Sequence, residues 1–357
     1  MLSDIKITNI RNIKQSNLTF SKNINIFVGQ NGSGKTSLLE GIYLLSRSRS
    51  FRTQSTSKVR SKGENALVVY GLVVDEFSKN NIAIKKTKSD TQIRINGKDE
   101  KRTSVLSSFL KVHLIRPESQ ALLERGASIR RTFIDWGLFH VKHQFLEDSK
   151  KYNHTLRQRN KLLKQQKTAT LSIWSESLAE YGIIVDKARA SYIEALANEF
   201  SKTTKALLGG IDIQLSYSKG WPEREALLDS LNGTLKRDLF KGYTTVGPHR
   251  SDLVLKVNGV LVQDFLSRGQ MKLAVLALYL AQVKISNQSS KQDICVLIDD
   301  LSAELDRDNL NKSLTYLNEM GAQVLITTTS LEPFNNWLAL TNTKLFHVEQ
   351  GVINEGV

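Results

Sequence analysis

The stretch Gly29-Gln30-Asn31-Gly32-Ser33-Gly34-Lys35-Thr36 follows the apolar run Ile24–Val28 and precedes the helix-like segment Ser37–Leu45. Its spacing of glycines, lysine and threonine, between a buried strand and a helix, is that of a phosphate-binding loop. Backbone N–H groups of such a loop and the helix N-terminus bind phosphate oxygens, and the glycines let the main chain curl closely around them. A glycine-rich turn that happens to contain lysine is the alternative, but the flanking strand and helix favour phosphate binding.

All eight residues of this loop are therefore predicted to bind a nucleotide. The Lys35 ammonium is expected to reach the β- and γ-phosphates, and the Thr36 hydroxyl is expected to bind Mg²⁺. The pattern accordingly predicts ATP and Mg²⁺ as cofactors.

Two carboxylates follow a second apolar run, because Asp299 and Asp300 come directly after Ile294–Ile298. Strand ends in a parallel α/β sheet open onto the ligand crevice, so we expect Asp299 to share Mg²⁺ with Thr36. Asp300 would then face an attacking water as the catalytic residue. The alternative is a pair of helix-capping residues, since Asp is a favoured N-cap.

The chain has 357 residues, which favours two lobes or one domain with a large insertion. It lacks a long apolar run and a signal-like N-terminus, and its single cysteine, Cys295, lies in an apolar run. We therefore expect a soluble cytoplasmic protein without an internal disulfide.

The net charge of +15 favours a polyanionic partner, and nucleic acid is the expected one. The cations are concentrated in the first two thirds of the chain. Residues 47–62 contain six Lys or Arg and no acid, and residues 142–167 form a second basic stretch. The DNA-binding candidates in these stretches are Arg52, Arg60, Lys161 and Lys164. A solvated face is the alternative.

The order of apolar patterns predicts an α/β fold with a parallel core sheet, an antiparallel subsheet and an inserted helical lobe. Residues 1–116 and 242–357 are assigned to the ATPase head, and residues 117–241 to the helical lobe. Apolar and aromatic residues recur at steps of three and four from Trp174 to Phe200. This stripe fits a helix core better than a base-stacking platform.

The segment Leu266-Ser267-Arg268-Gly269-Gln270 precedes an apolar helix and offers a hydroxyl and N–H groups to a second anion. Two phosphate sites and one nucleotide predict a homodimer in which the loop of each subunit binds ATP. Ser267, Gly269 and Gln270 of the other subunit would then close over the γ-phosphate. The dimer is therefore expected to depend on ATP.

These motifs together resemble the ATPase heads of the ABC superfamily, and in particular the DNA-repair members of its SMC-like branch. Motifs that carry the resemblance run from Arg11-Asn12-Ile13 through residues 29–36, 130–137, 247–250 and 266–270 to residues 298–306. The resemblance implies ATP-dependent dimerisation on DNA, as a single strand or a gapped duplex. It also implies the partners RecR and RecO and loading of recombinase at single-strand gaps. It also places Asp306, in the acidic turn Ser302-Ala303-Glu304-Leu305-Asp306, at the dimer interface.

Two departures from the wider ABC pattern predict slow hydrolysis. Asp300 stands where most ABC heads have Glu, and Thr327-Thr328-Thr329 stands where transporters carry a switch histidine. His249 is either a substitute for that histidine or a structural turn residue. A transporter motor subunit and a nearly non-hydrolysing DNA clamp are the alternative functions.

Overall fold

The computed structural model describes residues 1–76, 78–142, 144–288, 294–300, 305–339 and 342–356. The chain divides into two compact units. Unit 1 comprises residues 1–119 and 286–357, and unit 2 comprises residues 120–285.

The strands of unit 1 are β1 (Leu2–Ile10), β2 (Ile13–Thr19), β3 (Ile24–Val28), β4 (Leu67–Val74), β5 (Lys79–Lys86), β6 (Thr91–Ile95), β7 (Lys98–Glu100), β8 (Lys111–Ile115), β12 (Ile294–Ile298), β13 (Gln323–Thr328), β14 (Thr343–Glu349) and β15 (Val352–Glu355). Its helices are α1 (Lys35–Arg47), α2 (Thr56–Val59), α3 (Leu106–Phe109), α12 (Arg307–Glu319) and α13 (Asn335–Leu338), with short 3₁₀ turns at Thr103–Val105 and Glu332–Phe334.

The strands of unit 2 are β9 (Gln214–Ser218), β10 (Asp252–Val257) and β11 (Val260–Leu261). Its helices are α4 (Ala121–Glu124), α5 (Ala127–Val141), α6 (Gln144–Lys164), α7 (Leu171–Leu208), α8 (Leu227–Gly233), α9 (Leu235–Lys241), α10 (Val262–Phe265) and most of α11 (Arg268–Gln288), with a 3₁₀ turn at Pro248–Arg250.

Unit 1 contains the parallel sheet and the antiparallel subsheet that the sequence predicts. Strands β14, β3, β13, β12 and β8 run parallel in that order, and β15 adds an antiparallel edge. The strands β12 and β13 are continuous apolar or buried runs, as expected for strands covered on both faces. The second sheet has the antiparallel order β2-β1-β4-β5-β6-β7.

Helix α1 is buried on nearly all sides because it packs against strands of both sheets of unit 1. Its apolar residues share one core with β1, β4, β12 and β13. A buried carboxamide also joins the two sheets, since Gln323 on β13 accepts from Leu2 N and donates to Leu2 O, both at 2.8 Å. Helix α1 therefore packs against two sheets that are also joined to each other.

Unit 2 is organised around the helices α6 and α7, which pack against each other. The predicted stripe on α7 is core, because Leu178, Val185, Tyr192, Leu196 and Phe200 are buried. Strands β11, β10 and β9 form a small antiparallel sheet.

A fully buried ion pair lies among the helices of unit 2. Arg159 on α6 donates to Asp238 on α9 at 2.8 Å, and neither side chain is exposed. Arg159 also donates to Ser175 and Thr244, while Asp238 accepts from the backbone and hydroxyl of Thr245. Because breaking a buried pair leaves an uncompensated charge, this network fixes α9 against α6.

The unit boundaries differ from the predicted lobes at one end. Unit 2 begins at residue 120, close to the predicted 117, but it extends to residue 285. Residues 242–285, assigned from sequence to the ATPase head, group with unit 2 because β10 pairs with β9 and α5 packs on β10. Among the helices in the described ranges, none is both long and apolar enough to cross a bilayer.

Candidate functional site

The glycine-rich loop connects the end of β3 to the start of α1. Gly32 and Gly34 have φ values of 81° and 123°, a region where a side chain is strained. Gly29 donates its N–H to the carbonyl of Thr328 at 3.2 Å, and a Cβ at Gly29 would collide with the carbonyl of Val348. The glycines of the motif are thus required by the backbone itself.

Lys35 lies over the loop that precedes it. Its ammonium donates to the carbonyl oxygens of Gly29 at 2.6 Å and Gln30 at 3.0 Å. Burial lowers the pKa of Lys35, and the nearby carboxylates of Asp300 and Asp299 oppose that shift. The lysine and the two aspartates therefore share one electrostatic site.

Thr36 and Asp299 meet as the sequence predicts. The Thr36 hydroxyl lies 3.1 and 3.0 Å from the two carboxylate oxygens of Asp299. The order of strands explains this contact, because β3, β13 and β12 are neighbours and all end at the same edge of the sheet. A hydroxyl beside a carboxylate is an oxygen pair that suits Mg²⁺.

Asp300 is the last residue described before residue 305. Its φ of 55° lies in the left-handed region, which Asp tolerates better than most residues. Its backbone N–H donates to the hydroxyl of Thr327 at 2.9 Å.

Thr327 is a site residue that the sequence analysis noted only as a departure from a transporter pattern. Its fully buried hydroxyl donates to Asp299 at 2.7 Å while accepting from Asp300 N. A hydroxyl residue at the end of the strand beside Asp299 is the sequence signal that could have revealed this role. One side chain thus positions both aspartates.

We expect Thr327→Val to destabilise the protein by about 1–3 kcal/mol, because valine has nearly the same volume but lacks the buried hydroxyl that bonds Asp299 and Asp300. Denaturant unfolding measures the loss, and Thr327→Ser is the matched control because it keeps the hydroxyl. Equal stability of the Val and Ser variants would contradict the role of the hydroxyl.

Asn12 is a second residue whose role the sequence motif did not reveal. Its amide donates to the carbonyls of Gly32 at 3.3 Å and Ser33 at 3.0 Å, and its carbonyl accepts from the Ser37 hydroxyl at 3.1 Å. The Gly351 N–H also donates to Ser33 O at 2.7 Å. The β1–β2 turn and the β14–β15 turn therefore both hold the loop from outside.

The neighbouring Arg11 connects the same turn to α1 and to the basic stretch of residues 47–62. Its guanidinium makes two hydrogen bonds to the buried carboxylate of Glu40, at 2.8 and 3.0 Å, and Ser50 donates to the same carboxylate. The Arg11 N–H donates to Val59 O at 2.8 Å. Residues 50–61 are therefore anchored to the β1–β2 turn rather than free of the fold.

The predicted signature residues lie at the start of α11 in unit 2. Ser267 N donates to the Gln270 side chain at 2.9 Å, and Gln270 N donates to the Ser267 hydroxyl at 3.3 Å. This reciprocal pair is a capping box. Ser267 and Gly269 are exposed, so they are accessible to another molecule.

Asp306, the predicted dimer-turn residue, caps α12. Its carboxylate accepts from the backbone of Asn309 at 2.9 Å and from its side-chain amide at 2.7 Å. The Asn309 N–H lowers the pKa of Asp306. Ser302, Ala303 and Glu304 of the same predicted turn lie outside the described residues.

His249 is engaged on both ring nitrogens within unit 2. Nδ1 lies 2.7 Å from the Tyr152 hydroxyl and Nε2 lies 3.0 Å from the Thr244 carbonyl. A carbonyl only accepts, so Nε2 carries the proton and the Tyr152 hydroxyl donates to Nδ1. Burial lowers the pKa of His249 to about 4, and these contacts favour the structural-turn interpretation.

The four DNA-binding candidates lie in different units. In unit 1, Arg52 is exposed and Arg60 is half-buried, with a hydrogen bond from its guanidinium to Asn65 O. In unit 2, Lys161 and Lys164 are exposed at the end of α6.

Comparison with known proteins defines the class first. The model for the RecF/RecN/SMC N terminal domain matches residues 1–354. A solved Smc head bound to the C-winged helix domain of ScpA has the same fold, with a TM-score of 0.62 at 16% identity over 99% of this chain and 96% of the other. The predicted ABC-type ATPase head fold with an inserted helical lobe is thereby confirmed.

Closer relatives narrow the class to one family. The DNA replication and repair protein RecF of Shewanella frigidimarina (strain NCIMB 400) is 36% identical over 354 residues, 99% of this chain and 98% of the relative. A solved structure of the recombination mediator protein RecF-ATP in the RecFOR pathway matches with a TM-score of 0.88 at 29% identity, over 100% of this chain and 97% of that one. This chain belongs to the RecF/RecN/SMC family and, within it, to the RecF proteins.

Proposed function

We propose that this protein is an ATP-switched DNA-binding protein of recombinational repair and replication restart. It dimerises on ATP and DNA, hydrolyses ATP slowly as a DNA-dependent ATPase, and helps to load recombinase at single-strand gaps in the cytoplasm. The observation that carries the proposal is the meeting of Lys35, Thr36 and Asp299 at one edge of the parallel sheet.

The loop residues 29–36 bind the ATP phosphates in this proposal. Lys35 exchanges its bonds to the loop carbonyls for phosphate oxygens, since an ammonium can donate three hydrogen bonds. The solved relative with ATP supports the choice of nucleotide.

Thr36 and Asp299 would hold Mg²⁺, which would neutralise charge on the phosphates. Their three oxygens are the hard ligands that Mg²⁺ prefers, and the fit rests on the 3.0 and 3.1 Å contacts between them. Thr327 keeps the Asp299 carboxylate in place through its hydroxyl. Asp300 takes the proton of the attacking water as general base. Its side chain is one methylene shorter than Glu, which is consistent with slow turnover.

Dimerisation uses the segment at the start of α11. Ser267, Gly269 and Gln270 contact the nucleotide of a second copy, and Asp306 lies in the same interface. The exposure of Ser267 and Gly269 and the partial positive charge of the α11 N-terminus support this role. DNA contacts one or both of two groups of cations, Arg52 and Arg60 in unit 1 and Lys161 and Lys164 in unit 2, and RecR and RecO are the partners.

Ser267→Arg tests the dimer. The long cation is expected to block the interface, so the variant should bind ATP like the wild type yet lose ATP-induced dimers in sedimentation with DNA. Ser267→Asn is the matched control, because Asn keeps the N-cap of α11 and isolates the steric effect from the loss of the cap.

Normal ATP-dependent dimers of the Ser267→Arg variant would exclude the interface. The alternative from another class is a transporter motor subunit. If the protein were such a subunit, the wild type would show no ATP-dependent binding to DNA.

A further inference from the structure

Phe240 is 90% exposed at the end of α9, more than any other large apolar side chain in the described residues. A single exposed apolar residue is ordinary on a protein surface. The surroundings of Phe240 are what distinguish it.

Helix α9 lies against the end of α6, so their cations share one surface. Gln166, just after α6, donates to Leu239 O at 2.8 Å, and a Cβ at Gly242 would lie 3.7 Å from the Cα of Lys164. We call this surface the basic tip; besides Phe240 it comprises Lys161, Lys164, Lys167, Lys236 and Lys241.

The basic tip has almost no compensating acid. Residues 157–170 and 234–250 contain nine Lys or Arg and one acid, Asp238. That acid is fully buried and paired with Arg159. The five lysines are exposed, and they form no ion pair with any acid among the residues that the structure describes. The tip therefore presents uncompensated positive charge to solvent.

The tip is also rigid, because the buried network of Arg159 and Asp238 holds α9 in place. Thr244, just beyond α9, adds two hydrogen bonds to Asn160 of α6, at 2.8 and 2.7 Å. Beside Thr244, the Arg250 guanidinium carbon lies 5.2 Å from the centroid of the exposed Tyr243 ring. A rigid backbone reduces the entropy cost of fixing Phe240 against a ligand.

We infer that the basic tip binds single-stranded DNA, with Phe240 stacking on an unpaired base. This inference rests on the proposed DNA-binding function and names the form of DNA that unit 2 takes. Lysines bind the phosphates of any nucleic acid. An exposed aromatic ring can stack only on a base whose face is free, as it is in a single strand. The site is sequence-tolerant because every base has such a face.

Fluorescence anisotropy with ATP tests the inference, using a labelled oligothymidylate and a blunt duplex of the same length. Phe240→Ala is expected to weaken oligothymidylate binding about 5- to 150-fold, the range for loss of one stacked base, with duplex binding unchanged. Phe240→Tyr should restore binding, and Phe240→Leu should not. Ile183→Ala, which trims an exposed apolar residue in the middle of α7, is the matched control.

A 2-aminopurine base in the oligonucleotide reports stacking directly. Its fluorescence should fall on binding to the wild type and less on binding to Phe240→Ala.

The outcomes separate the two proposals. Failure of the wild type to bind either DNA would overturn the proposed function, and this inference with it. Phe240→Ala could keep the parental affinity for both DNAs while the double variant Lys161→Glu/Lys164→Glu loses binding. That result would overturn only the stacking inference. Binding of a polyglutamate peptide that depends on Phe240, without any effect on oligothymidylate, would assign the tip to an acidic protein segment and also overturn it.

Discussion

Lys35→Ala is expected to weaken ATP binding severely in a protein that stays folded. Lys35 lies over the loop, and burial lowers its pKa while two aspartates favour its charged form. Alanine removes this charge from the phosphate site, and charge-assisted hydrogen bonds contribute about 1.5–3 kcal/mol each. We expect a loss of about 100-fold or more in ATP affinity, measured by isothermal titration calorimetry.

Lys344→Ala is the control, because this lysine belongs to the same parallel sheet but pairs with Glu355 instead of reaching the loop. Circular dichroism verifies that both variants are folded. A folded Lys35→Ala protein with parental ATP affinity would overturn the site.

Asp300→Asn should separate binding from turnover. Loss of a positioned general base is expected to reduce ATP hydrolysis about 100-fold or more while ATP stays bound and the dimer persists. The substitution suits the site, because Asn tolerates the left-handed φ of 55° and the backbone bond to Thr327 is unchanged. Phosphate release measures hydrolysis, and sedimentation measures the dimer.

Asp299→Asn is the variant to compare, since it should weaken the Mg²⁺-dependent binding of ATP that Asp300→Asn preserves. Hydrolysis by Asp300→Asn at the parental rate would make Asp300 a turn residue. A wild type that binds ATP and DNA without measurable phosphate release would instead identify the nearly non-hydrolysing clamp.

Sequence alone predicted those parts of the site that depend on local order. The loop between β3 and α1 and the aspartates after β12 are contiguous motifs, and the rule that parallel strands end at one edge was enough to bring Thr36 to Asp299. Thr327 and Asn12 were missed because their roles depend on side-chain hydrogen bonds between separate segments.

The buried Arg159 shows a second limit of prediction from sequence patterns. Arg159 lies in the basic stretch of residues 142–167 that the sequence analysis treated as a surface, yet it is fully buried. Its partner Asp238 lies 79 residues further on, so local sequence gives no sign of the pair. Helical periodicity correctly placed the aromatic stripe of α7 in the core. It gave no signal for Phe240, which lies on a seven-residue helix too short to show a pattern.

The neighbours of β3 have a consequence for the order in which the protein can fold during synthesis. β3 pairs with β13 on one side and β14 on the other, and both strands come from the last 35 residues of the chain. The backbone of Leu2 likewise makes its hydrogen bond only after Gln323, 321 residues further on, has been made. Unit 2 is one continuous segment, so it can fold before the second part of unit 1 is made. The glycine-rich loop after β3 is thus made long before the strands that complete its sheet, and a chain truncated before β13 should not bind ATP.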